Sequence, residues 1–231
     1  MTVEPDAVAA ADRARLTRTA VGFGVYAAAF GATFGAVSTG SGLSLAQTLV
    51  LSLVMFTGAS QFAFVGVVAS GGAPVAGAAA ALLLGARNAF YGIPVSRLLR
   101  PRGLQRLLVA HATIDETTAM AVAQPTPRLG RFAFWATFGW LCALWNLGTL
   151  VGALVGEAVD PQALGLDAAA PAVFLALLWP QLRQRGAVAV AVLGGLLALV
   201  LIPLAPPGVP VVAAAVVALA AGLRGPAEAS S

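Results

Sequence analysis

The chain has 231 residues, 59% hydrophobic and 10% charged, with a formal net charge of +4, where a soluble domain carries roughly 25% charged residues. This composition excludes an ordinary soluble domain, and one cysteine (Cys142) and one histidine (His111) exclude an internal disulfide and any Cys/His metal spacing. The arginines other than Arg87 cluster at 13–18, 97–106, 128/131, 183/185 and 224; they flank apolar runs as orientation signals do, which argues against nucleic acid as a partner.

No Asp, Glu, Lys, Arg or His occurs between Arg18 and Arg87, and a hydrocarbon core of about 30 Å takes about 20 apolar residues per crossing. Backbone groups in lipid are satisfied only by helices or a closed barrel, and runs of Ala, Leu, Val and Gly longer than about 18 residues are helical. The predicted fold class is all-α: a polytopic membrane protein of about 7–8 transmembrane helices, broken or re-entrant helices being allowed among them.

Residues 1–18 form a cytoplasmic N-terminal segment in which Glu4, Asp6 and Asp12 precede or adjoin the arginines. It lacks the positive start and small-residue cleavage site of a removed signal peptide. A single transmembrane helical domain, 19–224, follows, and 225–231 is a polar tail. Span 1 covers about 19–39 and ends at Gly40-Ser41-Gly42. Ser44 and Gln47 have capping-box spacing, which predicts a second helix from Leu45 to about Ala69. Ser70-Gly71-Gly72 turns the chain, Pro74 opens a third helix over about 74–95, and a four-arginine loop spans 97–106. A weaker segment, 107–124, is followed by spans at 132–156, 170–182 (short), 187–204 and 209–223.

With Arg128 and Arg131 cytoplasmic, the positive-inside rule orients the second half consistently. The first half leaves two readings. Either 107–124 crosses as a fourth span and the four-arginine loop lies outside, or one segment of 45–95 is re-entrant and 107–124 does not cross. The number of apolar segments favours the former.

Three polar islands interrupt the apolar runs. Thr57-Gly58-Ala59-Ser60-Gln61 lies mid-span; either it opens a broken helix whose backbone faces a solute, or Gly58 and Ser60 allow close packing and Gln61 bonds to a neighbour. Arg87-Asn88-x-x-Tyr91 places Arg87 and Tyr91 on one helix face. A guanidinium in the membrane needs a cavity, a partner, or most of its reach to snorkel, and can hold a carboxylate with two hydrogen bonds. Thr113 and Glu116 have capping-box spacing around Asp115, with His111 four residues before that acid as a pairing candidate. Carboxylates in a bilayer mark ion or proton paths, and burial disfavours their charged form; the other reading is a capped surface helix. Gly148-x-x-x-Gly152-x-x-x-Gly156 and Gly77-x-x-x-Ala81-x-x-x-Gly85 are close-packing faces. No P-loop, nucleophile elbow or paired-His motif is present, so an enzyme is not expected, nor a cofactor or metal.

Gly42-Leu43-Ser44-x-x-Gln47, Phe56-Thr57-Gly58-Ala59-Ser60-Gln61-Phe62, Arg87-Asn88-x-x-Tyr91-Gly92 and Asp115-Glu116-Thr117, taken in order, resemble the azaleucine-resistance (AzlC-type) permease family. The likeness extends through Gly148-Thr149-x-x-Gly152, Gly165-Leu166-Asp167 and Pro171-Ala172-x-Phe174. That family commonly shows Asn-x-Arg-His where this chain has Gly85-Ala86-Arg87-Asn88. The resemblance implies a multi-pass secondary transporter of the bacterial cytoplasmic membrane that exports branched-chain amino acids, usually with a small multispanning AzlD-type subunit. Intramembrane polarity and these motifs together nominate Gly58, Ser60, Gln61, Arg87, Asn88 and Tyr91 for the substrate and Asp115 and Glu116 for proton coupling. The competing class is a non-transporting membrane scaffold that binds partner helices through its glycine faces.

Overall fold

The computed structural model describes residues 5–158, 185–206 and 209–223, with isolated positions 175, 178, 179 and 182. Most of the expected span 170–182, both later family motifs (165–167 and 171–174) and the tail 225–231 lie outside the described residues. In chain order the helices are α1 (Pro5–Gly40), α2 (Leu45–Val54), α3 (Ala59–Ala69), α4 (Pro74–Gly85), α5 (Arg87–Leu99), α6 (Gln105–Ala112), α7 (Asp115–Val122), α8 (Pro127–Ala158), α9 (Arg185–Leu201) and α10 (Val209–Leu223). No strand occurs among the described residues, so the all-α class holds. Two helices have the length and apolarity to cross a bilayer, Ala10–Gly40 and Pro127–Gly156, or three if α4 and α5 make one span. Among the described residues that is fewer than the expected 7–8, which counted about 20 residues per crossing.

Three expected helices are interrupted. The helix over 45–69 is α2 plus α3, broken at 55–58; that over 74–95 is α4 plus α5, separated by Ala86; and 107–124 is α6 plus α7, each of eight residues. The start signals at Ser44/Gln47 and Pro74 were sound: Gln47 N–H donates to Ser44 Oγ (3.2 Å) and Ser44 N–H to Gln47 Oε1 (2.8 Å). Helix α5 runs to Leu99, past the expected end near 95 and into the expected loop 97–106.

Two compact units make up the chain: Met1–Thr57 with Ala86–Pro161, and Gly58–Gly85 with Gln162–Ser231. In the first, α1 and α8 pack along their length. Cβ atoms built on the glycines of this seam would strike the opposite backbone: Gly24 meets Trp140, Gly31 meets Trp145, Gly35 meets Thr149, Gly148 meets Ala28, Gly152 meets Ala32 and Gly156 meets Ala36. Both sets of numbers rise together, so the two helices run parallel. The 148–156 glycine face is thus a packing face within this chain. Close backbone approach is what drives helix association in lipid, where dispersion and hydrogen bonds act without a hydrophobic contribution.

Helix α2 runs antiparallel to α8. Ser38 and Thr48 share a hydrogen bond of 2.7 Å, Ser52 donates to Asn146 Oδ1 (2.8 Å) and lies 3.2 Å from Thr149 Oγ1, and beyond the helix end the Phe56 ring reaches Phe138 at 5.8 Å between centroids. These hydroxyls hold a ten-residue helix that propensity alone would not maintain. Ser52→Ala is expected to lower stability by about 1 kcal/mol, read as a shift of a few degrees in the unfolding midpoint in detergent.

Helices α5, α6 and α7 complete this unit. Arg131 Nε donates to Leu98 O (3.0 Å), and a Cβ on Gly130 would lie 3.1 Å from Leu98 and 2.8 Å from Ala121 O. The ends of α5 and α7 therefore meet the start of α8 at one level. Between them, α6 carries His111 to Phe138, 6.1 Å between ring centroids. Segment 105–122 thus goes up α8 and comes back as two eight-residue helices, and the loop 97–106 shares an end with Arg131. An eight-residue helix rises only about 12 Å, too little for a crossing of about 30 Å. This corrects the favoured reading of the first half in the direction of the other one.

The second unit contains α3 and α4 side by side and antiparallel: Gly77 would place a Cβ 3.1 Å from Phe64 O, and Gly85 one 3.3 Å from Ser60 Oγ. The Gly77-Ala81-Gly85 face is therefore also filled internally. Helix α10 packs on α4 and on α9, where Gly194 faces Ala214.

Candidate functional site

Each polar island falls at a helix interruption. At the first, Thr57 N–H turns back onto Met55 O (2.8 Å), and Gly58 adopts φ 60°, ψ −89°. That is a left-handed conformation open to glycine and strained for L residues. Gln61, fully buried, accepts the Gly58 N–H with Oε1 at 3.1 Å. Its carbonyl thus closes the α3 N-terminus. Gly58→Ala is expected to cost about 1–2 kcal/mol from the positive φ alone; a protein of unchanged melting temperature would show that the turn tolerates a side chain.

The other two islands come together. Arg87, the first residue of α5, and Asp115, the first of α7, form an ion pair with Arg87 Nη2 3.1 Å from Asp115 Oδ2. Their side chains are 43% and 44% exposed, so a solute can reach both partners. One turn beyond Arg87, Tyr91 brings its phenol among Asp115, Arg87 and Glu116. Asp115 Oδ1 and Asn88 Oδ1 are buried acceptors without a hydrogen-bond donor, an arrangement that normally calls for a missing partner.

The acid sits where it does because the chain is extended just before it. Thr113 (ψ 98°) and Ile114 (φ −132°, ψ 178°) leave the helix, as β-branched residues do readily. Thr113 Oγ1 then donates back to Val109 O (2.6 Å), and Thr117 Oγ1 accepts the Ile114 N–H (3.0 Å) and bonds to Ala112 O (2.6 Å). The helix therefore starts one residue later than the expected Thr113/Glu116 box requires: Ile114 is the cap residue, its side chain accepts nothing, and only its N–H is met, by Thr117 Oγ1. At the start of α7 both acids lie at the positive end of a helix dipole. His111 does not serve as the partner of Asp115: its ring packs on Phe56 (5.9 Å between centroids) and Phe138, and Arg87 takes the acid.

Of the nominated residues, Arg87, Asn88, Tyr91, Asp115 and Glu116 belong to the first unit; Tyr91 and Glu116 lie near the ion pair, and Asn88 follows Arg87 in α5. Gly58, Ser60 and Gln61 belong to the second. Phe138 had no signal in the sequence, while Phe56 and Thr117 entered only as members of the family-like motifs, with no role of their own. No group of three His, Cys, Asp or Glu side chains among the described residues could hold a metal ion.

Interrupted apolar helices, backbone-to-backbone glycine packing and a charged pair between helix ends define a helical membrane protein with an accessible polar centre. Residues 22–159 match the AzlC protein family, and the chain belongs to it. It is also similar to two proteins described as uncharacterized membrane proteins of Helicobacter pylori. The one from strain J99 is 26% identical over 157 residues, 67% of this chain and 69% of the relative; the one from strain 26695 is 26% identical over 156 residues, 67% and 68%. No solved structure matches the chain significantly. Family membership points to a role in membrane transport rather than to an enzyme.

Proposed function

We propose that this chain is a secondary, proton-linked exporter of branched-chain or similarly hydrophobic amino acids. In this reading it crosses the bacterial cytoplasmic membrane several times and works with a small multispanning AzlD-type subunit. The observation that carries the reading is the accessible Arg87–Asp115 pair beside two unsatisfied acceptors. An amino acid is itself a zwitterion, so it can replace each partner of the pair for the other: its carboxylate takes Arg87 and its ammonium takes Asp115, with no net charge moved into the site. The ammonium has three N–H donors, enough for Asp115 Oδ1 and Asn88 Oδ1 as well. Tyr91 orients the head group, and Glu116, next to Asp115 but about 100° round the helix, carries the coupled proton.

The scaffold reading has lost the surfaces it relied on, because both glycine faces are packed inside the chain. Counterflow of radiolabelled leucine in proteoliposomes, with and without the small subunit, tests the proposal. Flux in at least the paired preparation is expected; no flux in either sinks the exporter reading.

A further inference from the structure

Between α5 and α6 lies a cavity of about 390 Å³, within the usual range of small-molecule sites. Two guanidinium-bearing residues, Arg100 and Arg106, line the end nearest the arginine loop, and no acid lines the cavity. Arg106 Nε donates to Pro101 O at 3.4 Å, which fixes one edge of its guanidinium. Val95 and Val109 are buried apolar walls, and Gly92 and Thr113 line the groove on the side away from the arginine loop. Gly92 adjoins Tyr91 in the chain, and Thr113 stands two residues before Asp115. The cavity therefore has positive charge at one end, a hydrocarbon wall, and the neighbours of the ion pair at the other.

From this arrangement we infer that the α5–α6 cavity is a binding site for small apolar amino acids, entered carboxylate first, with Arg100 and Arg106 as the initial binding groups. The inference rests on the exporter reading and adds to it the place where the solute is first held. Two arginines in a partly enclosed apolar groove raise the local concentration of a carboxylate, by 10-fold or more where low-dielectric walls focus the field. An apolar side chain then shares the groove with Val95 and Val109. An amine without a carboxylate gains nothing at the entrance.

Charge-selective labelling of a cysteine in the groove tests this. Ala110→Cys, on a lining position, is made with Cys142→Ala, reconstituted in neutral phosphatidylcholine, and exposed to anionic and cationic methanethiosulfonates. Rates are normalised to those of Leu104→Cys, a surface position at 83% exposure. The anionic reagent is expected to react about tenfold faster than the cationic one, Arg100→Glu with Arg106→Glu to reverse that order, and leucine, but not leucinamide, to slow it. Equal rates for the two reagents overturn the site. So does anion-selective labelling that leucine leaves unchanged in a preparation that moves leucine, since the groove then holds some other anion. Labelling reads the groove even in protein that moves no leucine: anion preference with leucine protection but no counterflow keeps the site and sinks only the exporter reading.

Discussion

Asp115→Asn and Arg87→Ala are each expected to bring leucine counterflow to background while the protein still inserts and accumulates. Hydrogen bonds to charged groups contribute about 1.5–3 kcal/mol, and each 1.4 kcal/mol is a factor of ten in affinity. Losing one arm of the head-group site should therefore weaken binding by about 10- to 100-fold. Each single substitution also leaves the other member of the pair without its counter-charge. Arg87→Lys is expected to retain part of the flux, since an ammonium keeps the charge and loses the planar fork. Normal counterflow in both Asp115→Asn and Arg87→Ala would show the pair to be a structural tie between α5 and α7 and nothing more.

Gly152→Leu is expected to have the largest effect on folding. A Cβ at Gly152 would overlap the Ala32 carbonyl group, and those at Gly148 and Gly156 would meet Ala28 and Ala36 in the same way. Backbone on both sides of the seam cannot yield as a flexible side chain can, so α1 and α8 must separate and lose contact along the whole interface. Overpacking a well-filled core costs about 1–3 kcal/mol for a few added methylenes; a leucine against opposed backbone should exceed that and prevent accumulation of folded protein. Gly139→Ala, where nothing lies within 4 Å of the added carbon, is the matched control and should behave as wild type. Equal yield and melting temperature for the two variants would mean that the parallel α1–α8 pair is not the backbone of the fold.

What could be read from the residues was either local or periodic. The Ser44/Gln47 cap joins residues only three positions apart, and the glycine repeats at 77–85 and 148–156 announce close packing through their spacing, though a repeat does not name the helix it packs against. Family and helical class were legible for the same reason, and so were the three places where polar residues interrupt the apolar runs. Pairing was not. Asp115 has a histidine one helical turn before it, and i,i+4 spacing made His111 the obvious partner; only the extended backbone at Thr113 and Ile114 shows why the acid instead faces a residue 28 positions earlier. That same pair of β-branched residues turned an expected crossing into two short helices, since hydropathy sums over a window and does not register a two-residue reversal. Gln61 was legible as a buried polar side chain, but its role in closing the α3 N-terminus depends on the unusual Gly58 backbone.

The central claim is that Arg87 and Asp115 exchange each other for the two charged ends of an amino acid. Competition against leucine counterflow by compounds carrying only one of those ends tests it most directly. Leucinamide, without the carboxylate, and 4-methylpentanoate, without the ammonium, are expected to compete about 10- to 100-fold less well than leucine, following the loss of one charged hydrogen-bonding arm in each case. Competition by either compound at the strength of leucine itself would contradict the account.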